Sequence, residues 1–440
     1  MKFPDTIFAL SSGALPSGVA VIRISGEGCR DAYAALVGGG DPEPRRAFAR
    51  TLRDDRGSVL DHALVIWFQS PASATGEDVL ELQVHGGRAT VAAVLERLGS
   101  LPGFRLAEPG EFARRGFLNG KFDLTQAEAL SELIGAETEA QRKLAMLSQQ
   151  GAQRRLYEGW RGRVLHARAM IEAELDFADE GDVPGSVAGA VWADVRALAE
   201  EMSIHCADFG RAEIVRDGFD IVIIGPPNSG KSSLINALAK RDAAIVTAEP
   251  GTTRDLIEVA LDVEGYKVRV TDTAGIRETE HEAERIGIRR AIERAERADL
   301  VLHLWPAGEM DSEHWDREAP FRDKTLKLVT KIDLGGGSRS EDELGISSKT
   351  GEGLDLLLDR IASRVRDTVG TANLLPLRQR HLALLRQAAA ALSEADKGHL
   401  PLELRAEALR DAGNAIGRIT GHVSTEELLG VIFSTFCIGK

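Results

Sequence analysis

The chain has 440 residues, 43% of them hydrophobic and 28% charged, and its 68 acidic against 54 basic side chains give a formal net charge of −14 at pH 7. That length exceeds one ordinary core and implies about two to four domains, and the acidity excludes a surface that generally coats nucleic acid or adheres to a membrane, since either favours excess positive charge. Cys29, Cys206 and Cys437 are far apart, without metal-ligand or redox spacing, the start Met1-Lys-Phe-Pro-Asp-Thr-Ile lacks a signal-like apolar stretch, and no apolar run approaches ~20 residues, so a cytoplasmic protein with no membrane association is expected.

Residues 1 to 118 alternate short apolar runs with turn signals. Val19 to Ile24, His62 to Phe68 and Val79 to Val84 read as strands and Thr90 to Leu98 as a helix, which makes an α+β domain. From Asp123 the period changes. Thr125-Gln-Ala-Glu128 can form a capping box, and Ala127 to Phe177 carries apolar residues three and four apart, the mark of long helices. An acidic connection, Asp179-Glu-Gly-Asp-Val-Pro-Gly185, precedes another helical stretch from Val191 to about Ile214. At Phe219 strands and helices begin to alternate, with a hairpin over 253 to 274, strands at Asp299 to Trp305, Thr325 to Val329 and Leu344 to Ser347, and a last helix at Gly353 to Arg366. Such alternation implies a mainly parallel sheet covered on both faces. Helices then resume over Leu377 to Lys397, Leu402 to Thr420 and from Ser424-Thr-Glu-Glu427. The expected division is 1–118, 119–216, 217–371 and 372–440, an α/β domain interrupting a helical one.

The chemistry concentrates in the interrupting domain. Gly225-Pro-Pro-Asn-Ser-Gly-Lys-Ser-Ser233 follows the apolar run Phe219 to Ile224 and precedes a helix, matching GxxxxGK[ST]. In that pattern backbone N–H groups from Asn228 to Ser233, Ser229 and Gly230 among them, point at phosphate oxygens. Lys231 reaches the β- and γ-phosphates, and the Ser232 hydroxyl ligates Mg2+. Thr247 to Asp255 is a polar loop whose Thr253 can hold Mg2+ while a γ-phosphate is present; alone, it is equally a helix-to-strand turn. Asp272-Thr273-Ala274-Gly275 runs off a strand, with Asp272 suited to the Mg2+ shell and the Gly275 N–H to the γ-phosphate. Thr330-Lys-Ile-Asp333 ends a later strand. Its carboxylate can accept from both N1–H and the 2-amino group of guanine, a donor pair adenine lacks, while the Lys331 stem lies along the base. Ser347, Ser348 and Lys349 would close the base pocket by backbone donation. Five elements in this order, each at the carboxyl end of a strand, specify a guanine-nucleotide site far better than any one of them. An ATPase is disfavoured by Asp333.

That order resembles the translation-factor branch of P-loop GTPases over 217 to 371, with two departures. Thr330 stands where asparagine is usual, which is expected to remove a tie between loops and weaken base affinity. Ile276, not glutamine, follows Gly275, so another group must orient the attacking water. Glu278, Glu280, Glu282 and Glu284 are candidates that the residues alone do not rank, helix-start solvation being the bland reading of all four.

The ends of the chain narrow the resemblance. Gly18-Val-Ala-Val-Ile-Arg-Ile-Ser-Gly26, Thr75 to Leu82 with His85-Gly-Gly87, Pro109-Gly-Glu-Phe112 through Phe117-Leu-Asn-Gly-Lys121, and the terminal Phe436-Cys-Ile-Gly-Lys440 are similar to the MnmE (TrmE) tRNA-modification GTPases along essentially the whole chain. The resemblance implies an N-terminal folate-binding and dimerising domain, a helical domain interrupted by a Ras-like GTPase domain, and an FAD-dependent partner, MnmG, forming a heterotetramer or larger complex. Together they would modify C5 of the wobble uridine of certain tRNAs with a one-carbon unit from 5-formyl- or 5,10-methylene-tetrahydrofolate. It places the folate at Arg23, Glu81, Lys121 and Lys440, the water-orienting role at Glu284, and a K+ site at Asn228, Thr247, Glu249 and Thr252. For Cys437 it suggests a catalytic or redox-active thiol; the residues alone leave open a buried packing cysteine, and a prenylation box fits poorly before Gly439-Lys440. From another class, a nucleotide-switched binding protein of the ribosome-assembly or membrane-associated kind shares the GTPase motifs without one-carbon chemistry.

Overall fold

The computed structural model describes residues 3–40, 42–176, 186–241, 243–245, 258–272, 293–308, 321–335, 343–370, 378–423, 426–434, 436 and 439. They form two compact units, one of residues 1–131, 148–183 and 401–440, the other of 132–147 and 184–400.

The first unit is built on a six-stranded sheet of β1 (Thr6–Leu10), β2 (Ser17–Ser25), β3 (Ala47–Arg53), β4 (Val59–Phe68), β5 (Val79–Gly86) and β6 (Phe104–Leu106), ordered β3-β4-β5-β2-β1-β6. Neighbours are antiparallel except β1 and β6. Alternation along β2, β4 and β5 sends Ile22, Ile24, Val65, Trp67, Leu80 and Leu82 to one face, where they are buried with residues of α1 (Cys29–Val37) and α2 (Arg88–Gly99). Burying each large side chain contributes about 1.5–3 kcal/mol. On the other face α3 (Glu111–Leu118) lays Phe112 over Ile7 and Ala9 of β1. Over β3, β4 and β5 that face stays open, with Leu64 exposed beside Gln83. The five-residue β1 was not foreseen, because its run Thr-Ile-Phe-Ala-Leu is buried on both faces and shows no alternation.

The helical part follows with α4 (Leu124–Gly135), α5 (Glu139–Gln149), α6 (Ala152–Asp176), α7 (Ser186–Ala207) and α8 (Phe209–Asp217). The cap of α4 differs from expectation. Asp123 Oδ1 accepts the Gln126 N–H at 2.9 Å while Gln126 Oε1 accepts the Asp123 N–H at 3.2 Å, so the box is Asp123 to Gln126, and Thr125 is a buried residue of the first turn donating to the same carboxylate at 2.8 Å. The stretch expected as one helix from Val191 to Ile214 is two, since Asp208 N–H turns to the His205 carbonyl three residues back.

The second unit contains β7 (Phe219–Ile224), α9 (Lys231–Ala239), β8 (Glu258–Val263), β9 (Tyr266–Asp272), β10 (Leu300–Pro306), β11 (Thr325–Thr330), β12 (Glu343–Gly345) and α10 (Leu354–Val369). Its sheet runs β12-β11-β10-β7-β9-β8, parallel throughout except for β8, which pairs back on β9 through Glu264 and Gly265, both at positive φ as a two-residue hairpin loop requires. Leu144 of α5 and Ala212 and Val215 of α8 join this core. After it come α11 (Gln379–Ala395), α12 (Leu402–Thr420) and α13 (Glu426–Ser434). Helices from before and after the α/β domain do meet, as two separate pairs: α6 with α12 in the first unit, α7 with α11 in the second.

Candidate functional site

In the second unit β7 lies between β9 and β10, the point where strand order reverses and where open parallel sheets bind ligands. The chain leaving β7 presses against β10: a Cβ on Gly225 would stand 2.4 Å from the Leu304 carbonyl oxygen, so only glycine fits. Asn228 and Gly230 take left-handed conformations, with φ of 62° and 97°, and turn the loop into the N-terminus of α9 with its free N–H groups. Lys231 Nζ folds over the loop, donating to the carbonyls of Gly225 at 2.9 Å and Pro226 at 3.0 Å. Burial lowers its pKa against the pull of nearby Asp272. Ser229 Oγ is buried with no hydrogen-bond partner, an orphan polar atom inside the loop that fits a polyanion still to be bound.

Ser232 Oγ donates to Asp272 Oδ2 at 2.8 Å, and Asp272 is fully buried at the end of β9. A hydroxyl and a carboxylate brought together beside a phosphate loop are the oxygen donors that Mg2+ takes, so these residues fit that ion. Ser233, exposed in the first turn of α9, adds its backbone N–H to the loop.

The Thr330 to Asp333 segment, expected to read the base, is tied to this loop in a way the sequence did not suggest. Thr330 Oγ1 donates to the Ser229 carbonyl oxygen at 2.6 Å, with the Trp305 carbonyl oxygen 3.1 Å away. The tie expected to be lost with asparagine is therefore made by the threonine hydroxyl. The signal was available: a hydroxyl at the end of a buried strand must find an acceptor. Lys331 then takes φ of 59° and starts a short 3-10 turn. Asp333 Oδ1 accepts the Ser347 hydroxyl at 2.7 Å, leaving its carboxylate oriented. The Ser347 N–H donates to the Glu352 carbonyl at 2.9 Å rather than standing free for the backbone role expected of it, and it is the Ser347 hydroxyl that orients Asp333. Thr247, Glu249, Thr252, Thr253, Thr273, Ala274, Gly275 and Glu284 lie outside the described residues. Of the expected K+ donors Asn228 alone is described, with its side chain exposed on the loop.

The first unit gathers the other set. Arg23 and Glu81 are cross-strand partners on β2 and β5, with Arg23 Nε donating to Glu81 Oε1 at 3.0 Å and its guanidinium 5.8 Å from the centre of the Phe112 ring. Two residues along β2, the Ser25 hydroxyl meets Thr75 Oγ1 at 2.7 Å and donates to Glu77 Oε2 at 2.8 Å, which seats the 70–78 loop on the same strand. Lys121 Nζ donates to the Pro71 carbonyl of that loop at 2.8 Å. Beneath it is a charge cluster absent from the sequence reading. Buried Arg115 holds Asp5 at 2.7 Å, Glu77 at 3.2 Å and Glu111 at 3.0 Å, and Arg105 pairs with Asp5 and Glu111 at 2.6 Å each. Burial works to raise the Asp5 and Glu111 pKa values, but the guanidiniums outweigh it and both stay below the ordinary carboxylate range. A part-exposed arginine and carboxylate beside an anchored loop fit the polar pterin edge and anionic tail of a folate. Cys437 and Lys440 lie outside the described residues. No described helix is long and apolar enough to cross a membrane, and no cluster of three or more His, Cys, Asp or Glu residues suited to a metal occurs among the described residues.

The family model described as the MnmE helical domain matches residues 124–437, and that of the GTP-binding protein TrmE N-terminus matches residues 6–121. A tRNA modification GTPase MnmE of Chelativorans sp. is 53% identical over 442 residues, covering 99% of this chain and 98% of that protein. One from Sinorhizobium medicae is 53% identical with full coverage of both, and one from Brucella canis 52% identical, covering 100% of this chain and 99% of its own.

Proposed function

Since the chain belongs to the MnmE family of tRNA modification GTPases, we propose that it hydrolyses GTP to drive a conformational step in the modification of C5 of the wobble uridine of certain tRNAs. The observation that carries the nucleotide half is the Thr330 to Ser229 hydrogen bond, which makes the phosphate loop and the base-reading loop one site. In that site Asn228 to Ser233 offer N–H groups to the phosphates, Lys231 exchanges its carbonyl partners for phosphate oxygens, and Asp333, held by Ser347, accepts from guanine. Ser232, Asp272 and Thr253 would hold Mg2+, which neutralises charge on the phosphates. Glu284 orients the attacking water in place of the absent glutamine. Asn228, Thr247, Glu249 and Thr252 would hold K+, which supplies positive charge to the transition state.

For the other half, Arg23, Glu81, Lys121 and Lys440 would hold a tetrahydrofolate derivative, which supplies the one-carbon unit, with Cys437 as a reactive thiol. The support is the convergence of Arg23, Glu81 and the loop held by Lys121 near one end of the central strands β2 and β5. The open face of that sheet, with Val19 and Leu64 exposed, supports its use in a homodimer. Residues 1–118 act as the folate-binding domain, 217–371 as the GTPase domain, and 119–216 with 372–440 as the helical domain coupling them. An FAD-dependent MnmG partner and a cytoplasmic setting complete the reading. Nucleoside analysis of tRNA from cells lacking the gene tests it: C5-modified wobble uridines are expected to disappear, and their persistence would leave a nucleotide-switched binding protein as the better account.

A further inference from the structure

One edge of the N-terminal sheet carries a charge opposite to that of the whole chain. The net charge is −14, yet residues 45–56 hold five arginines, Arg45, Arg46, Arg50, Arg53 and Arg56, against Asp54 and Asp55. All five arginines are exposed, along the edge strand β3 and at its two ends.

Local structure turns this charge outward. The register sets Phe48 against Val65 and Arg50 against Ala63, and Leu64 against Ala49 and Gln83, so Phe48 and Arg50 lie on the side of the sheet opposite Leu64. The Arg46 and Arg50 guanidiniums stand over the Phe48 ring, 5.2 and 4.8 Å from its centre. A second copy of the chain seated on the open face would leave them uncovered. Arg45, Arg50 and Arg53 have no carboxylate partner among the described residues. Each donates to a backbone carbonyl, of Ala72 at 2.6 Å, Ala49 at 3.0 Å and Gly57 at 2.8 Å. A guanidinium has five N–H donors, so most of theirs remain for a ligand. Arg46 pairs with exposed Glu43, and a surface pair of that kind yields readily to another anion. Asp54 is committed to the turn after β3, its Oδ1 accepting the N–H groups of Arg56 at 2.9 Å and Ser58 at 2.7 Å.

The strip also leads somewhere. Arg45 grips the Ala72 carbonyl and Lys121 grips the neighbouring Pro71 carbonyl at 2.8 Å, so one end of the strip holds the 70–78 loop that Ser25 seats beside Arg23 and Glu81. From Arg45 to Arg53 the extended chain spans roughly 26 Å at about 3.3 Å per residue.

We propose that the arginine strip of β3 docks the RNA substrate, with guanidiniums on its phosphates and an unstacked loop base against the Arg46–Phe48–Arg50 stack. Arginine planes and aromatic rings are the surfaces on which bases of single-stranded RNA loops stack, whereas an acidic protein would use the charge and not the ring. That the RNA is a tRNA rests on the function proposed above. The test is binding of a fluorescent, unmodified tRNA transcript with uridine at the wobble position to the full-length protein across a KCl series. The triple variant Arg46→Glu/Arg50→Glu/Arg53→Glu should raise the Kd at least about tenfold and flatten the slope of log Kd against log salt by about 2 to 3, each phosphate contact contributing about 0.7–0.9. Arg50→Gln/Arg53→Gln, which adds no repulsion, should flatten it by about 1.5. GTP turnover and the thermal midpoint should be unchanged in both. Glutamates protect an edge strand from self-pairing as arginines do, so a purely protective role predicts no change in binding. Arg142→Glu/Arg211→Glu/Arg364→Glu, at exposed positions of α5, α8 and α10, makes the same change in net charge and should leave the slope as in the wild type. Wild-type affinity and slope in both strip variants, or an equal loss in the helix control, overturns the docking strip while the tRNA reading stands. A wild-type protein that binds no tRNA at low salt also overturns the strip, and the nucleoside analysis then decides the tRNA reading separately.

Discussion

Thr330→Val tests whether the two halves of the nucleotide site are one unit. The substitution keeps the side-chain shape and removes the hydroxyl that donates to Ser229 at 2.6 Å, at a position only 3% exposed. Valine offers no donor, so the Ser229 carbonyl oxygen loses its short partner away from solvent, at a cost of about 1–3 kcal/mol. Ser229 sits between Asn228 and Gly230, both left-handed, so its carbonyl helps hold the turn that aims the N–H groups. If that cost falls on the nucleotide-binding conformation, the GTP Kd rises about 5- to 150-fold. Titration with a fluorescent GTP analogue measures it, and Thr330→Ser should bind as the wild type does. Guanine-over-adenine preference should be retained, because the Asp333–Ser347 bond is untouched. An unchanged Kd and thermal midpoint for Thr330→Val would refute the reasoning.

Turnover of GTP should be severalfold faster in KCl than in NaCl at equal ionic strength, and Asn228→Ala should erase the difference; equal rates in the wild type would end the K+ assignment. Arg115→Met should destabilise the first unit by about 3–5 kcal/mol, since Glu77 would lose its guanidinium partner and Asp5 and Glu111 would be left to share Arg105 alone. Urea unfolding measures this, and a loss under about 1 kcal/mol would mean that Arg105 alone satisfies the cluster. Burial pushes His205 of α7 down to about 4, against the pull of Asp208 and with a further push from His381 of α11. The unfolded chain then binds the proton first, so stability is present above pH 6.5 and is lost as pH falls toward 4, by on the order of 2–3 kcal/mol. His205→Gln should flatten that slope, and an unaltered slope would remove His205 as its cause.

The α/β domain was the more legible part because its signals are local. A phosphate loop needs its glycines, lysine and hydroxyl within nine consecutive residues, the strand before Gly225 reads as an apolar run, and β9 and β11 show apolar residues interleaved with polar ones. The helix over Leu402 to Thr420 matched residue for residue, bounded by Pro401 before it and Gly421 at φ of 89° after it. The first unit was less legible for a physical reason. β1 and β6 are short and lack alternation, and the Arg115 cluster takes its members from the chain start, the 70–78 loop and α3, so no window of sequence contains it. The α4 cap shows the limit of pattern alone: Thr125-x-x-Glu128 and Asp123-x-x-Gln126 overlap, and burial of Thr125 decided between them.

Two left-handed glycines, Gly230 and Gly439, each lie where one hydroxyl donates to a backbone carbonyl far along the chain. Thr330 reaches Ser229, whose carbonyl precedes Gly230, and Ser11 reaches Gly439 itself. A motif can reveal such a glycine, because the conformation needs it. The hydroxyl that grips it can be any serine or threonine that the fold delivers, which is why Ser11 did not stand out and Thr330 did so only as a departure from the usual asparagine. The clasp also says how the nucleotide site can fail. A phosphate loop has its neighbouring strand β10 as a second support, through the approach of Gly225 to Leu304, so losing Thr330 should weaken nucleotide binding without abolishing it.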